Sequence, residues 1–269
     1  MSAWIPFEAI VTTSHRVEKY GGVALADEAL QQIVDALNAG TLPMIGHHDW
    51  TQPIRTKDVE ATLVTLDDGE RGVRMTCLVD ERDWDSVGPA YGMSFTTTVK
   101  IGRAAGPHPE KDSLNLAADA GWFDDEAIAQ AASIMSEVAP VDGGRLLQFS
   151  AIDTARVVLE IAYSTVVALG PGIATNAVWD GIKFLLTHRK RRQGFDGLPS
   201  RIELSTDLEA GTVIGIIDTS EPEVARHALK AYSKAVEAAA KVQSGRKTVI
   251  VWRHGDEDGD WAPLEIPED

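Results

Sequence analysis

Two short segments hold residue types that together could carry out nucleophilic catalysis. One is Pro43-Met44-Ile45-Gly46-His47-His48-Asp49-Trp50, with Pro53-Ile54 close behind; the other is Tyr91-Gly92-Met93-Ser94-Phe95-Thr96. A serine hydroxyl is inert at neutral pH until a base takes its proton as it attacks. Histidine suits that task because its pKa lies near neutrality. Gly92, two residues before Ser94, allows close approach of a substrate or of neighbouring backbone. Adjacent residues on a strand face opposite ways, so only one of His47 and His48 can face the serine. By residue type alone the pair also fits an exposed histidine beside a core histidine with a satisfied hydrogen bond. Cys77 is the single cysteine, set in the strand-like stretch Arg74-Met75-Thr76-Cys77-Leu78-Val79. It reads as a small buried hydrophobe, not a nucleophile. It has no partner for an internal disulfide, which fits a reducing cytoplasm.

The elements that must position these segments are legible around them. Trp4 to Thr12 is an apolar, β-branched strand candidate. Ala26 to Asn38 reads as a helix because Leu30, Ile33, Val34 and Leu37 share one face. Leu42 to Gly46 is a short apolar strand that delivers His47, His48 and Asp49. Val59 to Leu66 and Gly72 to Val79 form a hairpin across Asp67-Asp68-Gly69-Glu70-Arg71. Ala90 to Ile101 is the strand that carries Ser94. A helix capped by Asp124 or Asp125 runs to about Val138, with Ile128, Ala131, Ile134 and Met135 along one side.

Residues from about 5 to 100 resemble the tailed-phage prohead (capsid maturation) serine proteases. The pieces that carry the resemblance are Gly46-His47-His48-Asp49-Trp50, Pro53-Ile54, Asp68-Gly69 and Gly92-Met93-Ser94-Phe95, in the family's order and spacing. The resemblance implies Ser94 as nucleophile and His48 as general base, with His47 where the family has Asn. It implies a β-barrel with peripheral helices, shared with herpesvirus assembly proteases, that cleaves scaffold and capsid precursor peptides without metal or organic cofactor. The chain departs from the family pattern in two places: Arg55 stands where Gly usually follows Pro-Ile, and Thr96-Thr97-Thr98 follows the Ser-Phe pair. The third catalytic residue is not fixed. An acidic residue downstream of the serine would be Glu126, which also reads as a helix-terminus charge. A viral-type second histidine would be His108, which also reads as a loop residue. Arg103 is a candidate to assist the oxyanion.

The resemblance ends before residue 150. Pro140 to Ser150, with Gly143 and Gly144, reads as a boundary, giving a prohead-protease-like domain at 1–145, an apolar helical segment with a basic cluster at 150–195, and a small ββαβ domain at 196–269. In the last of these, strands are expected at Ile202 to Leu208, Thr212 to Asp218 and Lys247 to Arg253, with a helix from about Pro222 to Lys241. The fold class expected is therefore α+β. The apolar stretch Ala155 to Leu186 is broken at Gly170-Pro171-Gly172 and followed by His188-Arg189-Lys190-Arg191-Arg192. Within it, Ile161 to Trp179 is 19 residues without a charge, near the length of a membrane span, but the break and the flanking Glu160 and Asp180 favour buried helices packed on the C-terminal sheet or on another subunit. Self-association, or binding of another protein, is expected through residues 150–186. The arrangement of an apolar segment, a basic cluster and a small α/β unit is broadly similar to modules attached to effectors in bacterial conflict systems.

The chain has 269 residues and a formal net charge of −16. Such a field repels phosphate backbones, so a nucleic-acid partner is not expected. Met1 to Ile10 lacks a basic stretch followed by an apolar run, so no secretory leader is expected. The expected location is cytoplasmic, with membrane association as the disfavoured alternative. Two functions from different classes follow: a serine endopeptidase acting on protein substrates, as effector or sensor, and a catalytically silent protease-fold scaffold used in assembly or partner binding.

Overall fold

The computed structural model describes the chain except residues 1–2, 41, 43, 46–48, 88–94, 109–110, 150–153, 169–172, 192–198, 210, 220, 243–247, 254–258 and 265–269. It is a mixed α+β structure that divides into two compact units. Met1–Thr97 and Gln148–Asp153 form the first, Thr98–Leu147 and Thr154–Asp269 the second.

In the first unit, β1 (Trp4–Thr13), β2 (Thr56–Thr65) and β3 (Arg71–Asp80) form an antiparallel sheet in the order β1-β3-β2. The expected hairpin is present. Thr65 pairs with Arg71, and the turn between them places Gly69 at φ 88°, where an L side chain would be strained. Helix α1 (Asp27–Asn38) buries Leu30, Ile33, Val34 and Leu37, the four positions its periodicity selects. They pack with Val11, Ala61, Val73, Met75, Cys77 and Val79 in one apolar core. Burying each such side chain stabilises by about 1.5–3 kcal/mol as an upper estimate. Tyr20 also reaches the returning segment, where its hydroxyl donates to the Gln148 carbonyl at 2.9 Å and accepts from the Gln148 N–H at 2.7 Å.

The second unit is built on an eight-stranded sheet in the order β11-β10-β9-β8-β7-β5-β6-β4. Its strands are β4 (Phe95–Ala104), β5 (Leu114–Asp119), β6 (Val141–Phe149), β7 (Arg156–Glu160), β8 (Ser200–Leu208), β9 (Gly211–Thr219), β10 (Thr248–Arg253) and β11 (Asp260–Pro263). Three of the described pairs are parallel, and each is joined through helix. Helix α3 (Asp125–Met135) links β5 to β6, α4 (Tyr163–Ala168) and α5 (Ile173–Thr187) link β7 to β8, and α6 (Pro222–Val242) links β9 to β10. This follows from parallel geometry, which needs a long crossover. The expected ββαβ elements thus appear as β8-β9-α6-β10. The cap of α3 is also as expected: the Asp124 carboxylate accepts from the Ala127 N–H at 2.9 Å.

The expected division at residues 145–150 is corrected by this sheet. β4, β5 and β6 precede that point, β7 to β11 follow it, and one apolar core runs from Leu114 to Trp261. Gly143 and Gly144, which read as boundary punctuation, lie within β6. A Cβ on Gly144 would stand 2.7 Å from Thr98 Cγ2 and 3.3 Å from the Val99 carbonyl oxygen, so the glycine there permits close strand packing. The stretch from Ala155 opens with strand β7 and only then becomes helical. Its apolar side chains, including Val157, Leu159, Ile161, Val178, Ile182 and Leu185, are buried in the chain's own core. The helices thus pack on the C-terminal sheet, and among the described residues of 150–186 Tyr163 is the large apolar side chain left exposed. No described helix is long and apolar enough to cross a membrane.

Helices α3 and α5 meet at Gly181. A Cβ there would fall 2.6 Å from Met135 Cγ and 3.0 Å from the Ala131 carbonyl oxygen. Gly181→Val should therefore destabilise the second unit by about 1–3 kcal/mol. Gly102→Ala, where an added Cβ meets nothing within 4 Å, is the control. Thermal melts of the two variants give the comparison, and equal melting temperatures would show that the helices part freely.

Candidate functional site

Gly46, His47 and His48, and the segment through Ser94, lie outside the described residues. What the structure describes is the frame on either side of them. Ile45 and Pro53 form an antiparallel bridge, and the Ile54 N–H donates to the Met44 carbonyl at 2.9 Å. The segment holding both histidines therefore leaves and re-enters through one closed stem. Asp49 shapes its return limb. One carboxylate oxygen accepts from the Thr51 N–H at 2.8 Å and the Thr51 hydroxyl at 2.7 Å, while the Asp49 carbonyl accepts from the Gln52 N–H at 2.9 Å. A short acid that closes its own turn in this way is a common local device. Leu42, Met44 and Ile54 pack against the apolar core of the first unit.

On the serine side, β3 ends in a 3-10 turn at Glu81–Asp83 followed by the short helix α2 (Trp84–Val87), after which β4 begins at Phe95. Val87 is buried, and Trp84 packs edge-on against Phe7 with ring centroids 6.3 Å apart. Asp80, almost fully buried, caps the turn: it accepts from the Arg82 N–H at 2.9 Å and from the Arg82 guanidinium at 3.0 and 2.7 Å.

The two frames are joined by Arg55. Its Nε and Nη2 donate to the two Asp83 carboxylate oxygens at 2.8 and 2.6 Å, and its backbone N–H donates to the same carboxylate at 2.8 Å. In return the Asp80 N–H donates to the Arg55 carbonyl at 3.1 Å. Both side chains are largely buried, at 18% and 12% exposure. The Arg55 guanidinium holds the Asp83 carboxyl below the usual carboxylate range, against the opposing effect of burial. Reading the sequence identifies Arg55 as a departure from the family pattern but not its partner; an arginine directly after the Pro-Ile stem was the only signal.

The remaining sequence candidates sit as follows. Glu126 is exposed on the first turn of α3, beside Asp125, which pairs with Arg145 at 2.6 Å. His108 is half-buried, and its carbonyl accepts from the Lys111 N–H at 3.2 Å. Arg103 is exposed on β4. Glu126, His108 and Arg103 all belong to the second compact unit. Cys77 is buried, and loss of solvation pushes its thiol up to about 11. Among the described residues, no group of three or more His, Cys, Asp or Glu side chains could hold a metal ion.

One contact went unread in the sequence. His15 Nδ1 lies 2.8 Å from Thr13 Oγ1, and Nε2 lies 2.6 Å from the Asp68 carboxylate, which the imidazole holds below its usual range. The order hydroxyl, imidazole, carboxylate is that of a catalytic relay. Yet His15 and Asp68 are about half exposed, at 46% and 55%, and they join the end of β1 to the β2–β3 turn. This is the setting of a solvent-screened strand-end tie. No protein-family model, curated protein or solved structure matches the chain.

Two outcomes follow. The depressed Asp83 pKa contributes stability that is complete above about pH 4, the unfolded carboxylate value, and is lost as pH falls through the lower folded value. Asp83→Asn should therefore cost about 2 kcal/mol at neutral pH and flatten the acid limb of a stability–pH curve. An unchanged acid limb in urea titrations would contradict the assignment. Cys77, with thiolate on the order of one part in a thousand at pH 8, should resist a chromogenic disulfide reagent until the chain is unfolded. Rapid native-state modification would show that β3 opens.

Proposed function

We propose that the chain is a serine endopeptidase of prohead-protease type, with Ser94 as nucleophile and His48 as general base. The first unit would form the barrel of that type, and a protein segment would be the substrate. The observation that carries the reading is the order of the two segments together with their anchoring. The flanks of the histidine segment, Met44 and Ile54, and of the serine segment, Trp84 and Val87, pack on one apolar core. Residues distant in sequence are thereby tied into one compact unit, as a two-residue catalytic device requires. Asp49 contributes by closing the turn after His48, so its carboxylate has a local structural task whichever group completes the triad. The second unit, with its own extensive core, fits a partner-recruiting role, with the whole chain acting as an effector or sensor.

A fluorophosphonate probe tests the serine without knowledge of the substrate. Wild type should label and Ser94→Ala should not. His48→Ala should abolish labelling, whereas His47→Ala should retain most of it, because adjacent residues on a strand would face opposite ways. His15→Ala controls for the exposed hydroxyl–imidazole contact and should label as wild type. A folded wild-type chain that never labels would instead support a non-catalytic scaffold.

A further inference from the structure

Strand pairing brings residue 56 beside residue 79, which already places Arg55 near the end of β3. It does not fix how the chain leaves each strand end. On one side it runs back through the Ile45–Pro53 stem to the histidine segment; on the other it runs through α2 to the serine segment. The Arg55–Asp83 pair lies at that junction. Three donors of Arg55 converge on one carboxylate, one of them its own backbone N–H, and the Arg55 carbonyl accepts from Asp80. A glycine at this position could make only the backbone bonds. The planar guanidinium fork adds a fixed direction that a lysine would not supply.

Resting on the serine-peptidase reading above, we propose that Arg55 and Asp83 are positioning residues, whose ion pair holds the stem of the histidine segment to the turn from which the serine segment departs. They act through His48 and Ser94 and do not touch substrate.

The test combines hydrogen exchange with the labelling-rate pH profile in the full chain, at a temperature where circular dichroism shows each variant fully folded. In Asp83→Asn, exchange should rise in peptides covering both 43–54 and 84–97 and stay unchanged across 114–261. The plateau labelling rate should fall by about tenfold or more, with the midpoint pH unmoved. Arg55→Lys should recover part of the plateau, because it keeps the charge but loses the fork. A general loss of fold would raise exchange in every peptide of the first unit and would be corrected by cooling. The proposal is overturned if exchange rises in only one of the two segments, or if wild type labels and Asp83→Asn labels at the same rate. If wild type never labels, the peptidase reading fails on its own. The exchange data then decide whether the pair couples the two segments: a rise in both supports the coupling, and no joint rise overturns it.

Discussion

Arg156 and Glu203 meet inside the eight-stranded sheet as a bidentate pair, at 2.9 and 2.7 Å, with 7% and 4% of their side chains exposed. Removing two charges from water is expensive, and only good geometry offsets it. That cost makes the pair specific. Sliding β7 by one residue against β8 would turn Arg156 to the other face and leave both charges buried without partners, a loss of about 3–5 kcal/mol. The register it fixes is the one on which the second unit depends. β7 has five residues, yet it is flanked by β5 on one side and β8 on the other. Through it, strands from before and after residue 150 become one sheet with one core. Next to this pair, Arg201 on β8 binds Asp218 on β9 at 2.8 and 2.6 Å.

How much of this the amino-acid order discloses depends on the range of the interaction. Helices α1 and α3, the β2–β3 hairpin and the β8-β9-α6-β10 run were legible because periodicity, caps and turn residues act within a few positions. β6 was hidden because its glycines look like punctuation, although Gly144 serves a contact with β4 that sequence order does not display. β7 was hidden because a short strand buried on both faces has the same apolar texture as the helices after it. The division of the chain failed for the same reason: a composition change at residue 150 is local, whereas the sheet that crosses it is not. Of the candidate site, residue types and order were legible. The Arg55–Asp83 connection was not, since nothing near residue 55 names a partner twenty-eight positions away.

Chemical reading of the first unit turns on economy of anchoring. Among the described residues, the Ile45–Pro53 bridge and the Ile54–Met44 backbone hydrogen bond flank the histidine segment, a four-residue helix precedes the serine segment, and Arg55 joins the two supports. The formal net charge of −16 sets up a field that attracts basic groups and repels acidic ones at low salt.

The way the second unit is threaded also bears on how the protein is made. Sheet neighbours β5 and β7 are drawn from either side of residue 150, and the shared core is not complete until Trp261 has been incorporated. During synthesis, residues 98–147 leave the ribosome with Leu114, Leu116, Ile128 and Met135 still lacking the strands and helices that cover them. Local helices such as α3 can form at once, but the sheet must wait for nearly the whole chain. Long-range pairing of this kind folds slowly and exposes sticky intermediates. Premature termination anywhere before the last strands would therefore release an apolar fragment for chaperones and proteases, not a smaller working protein.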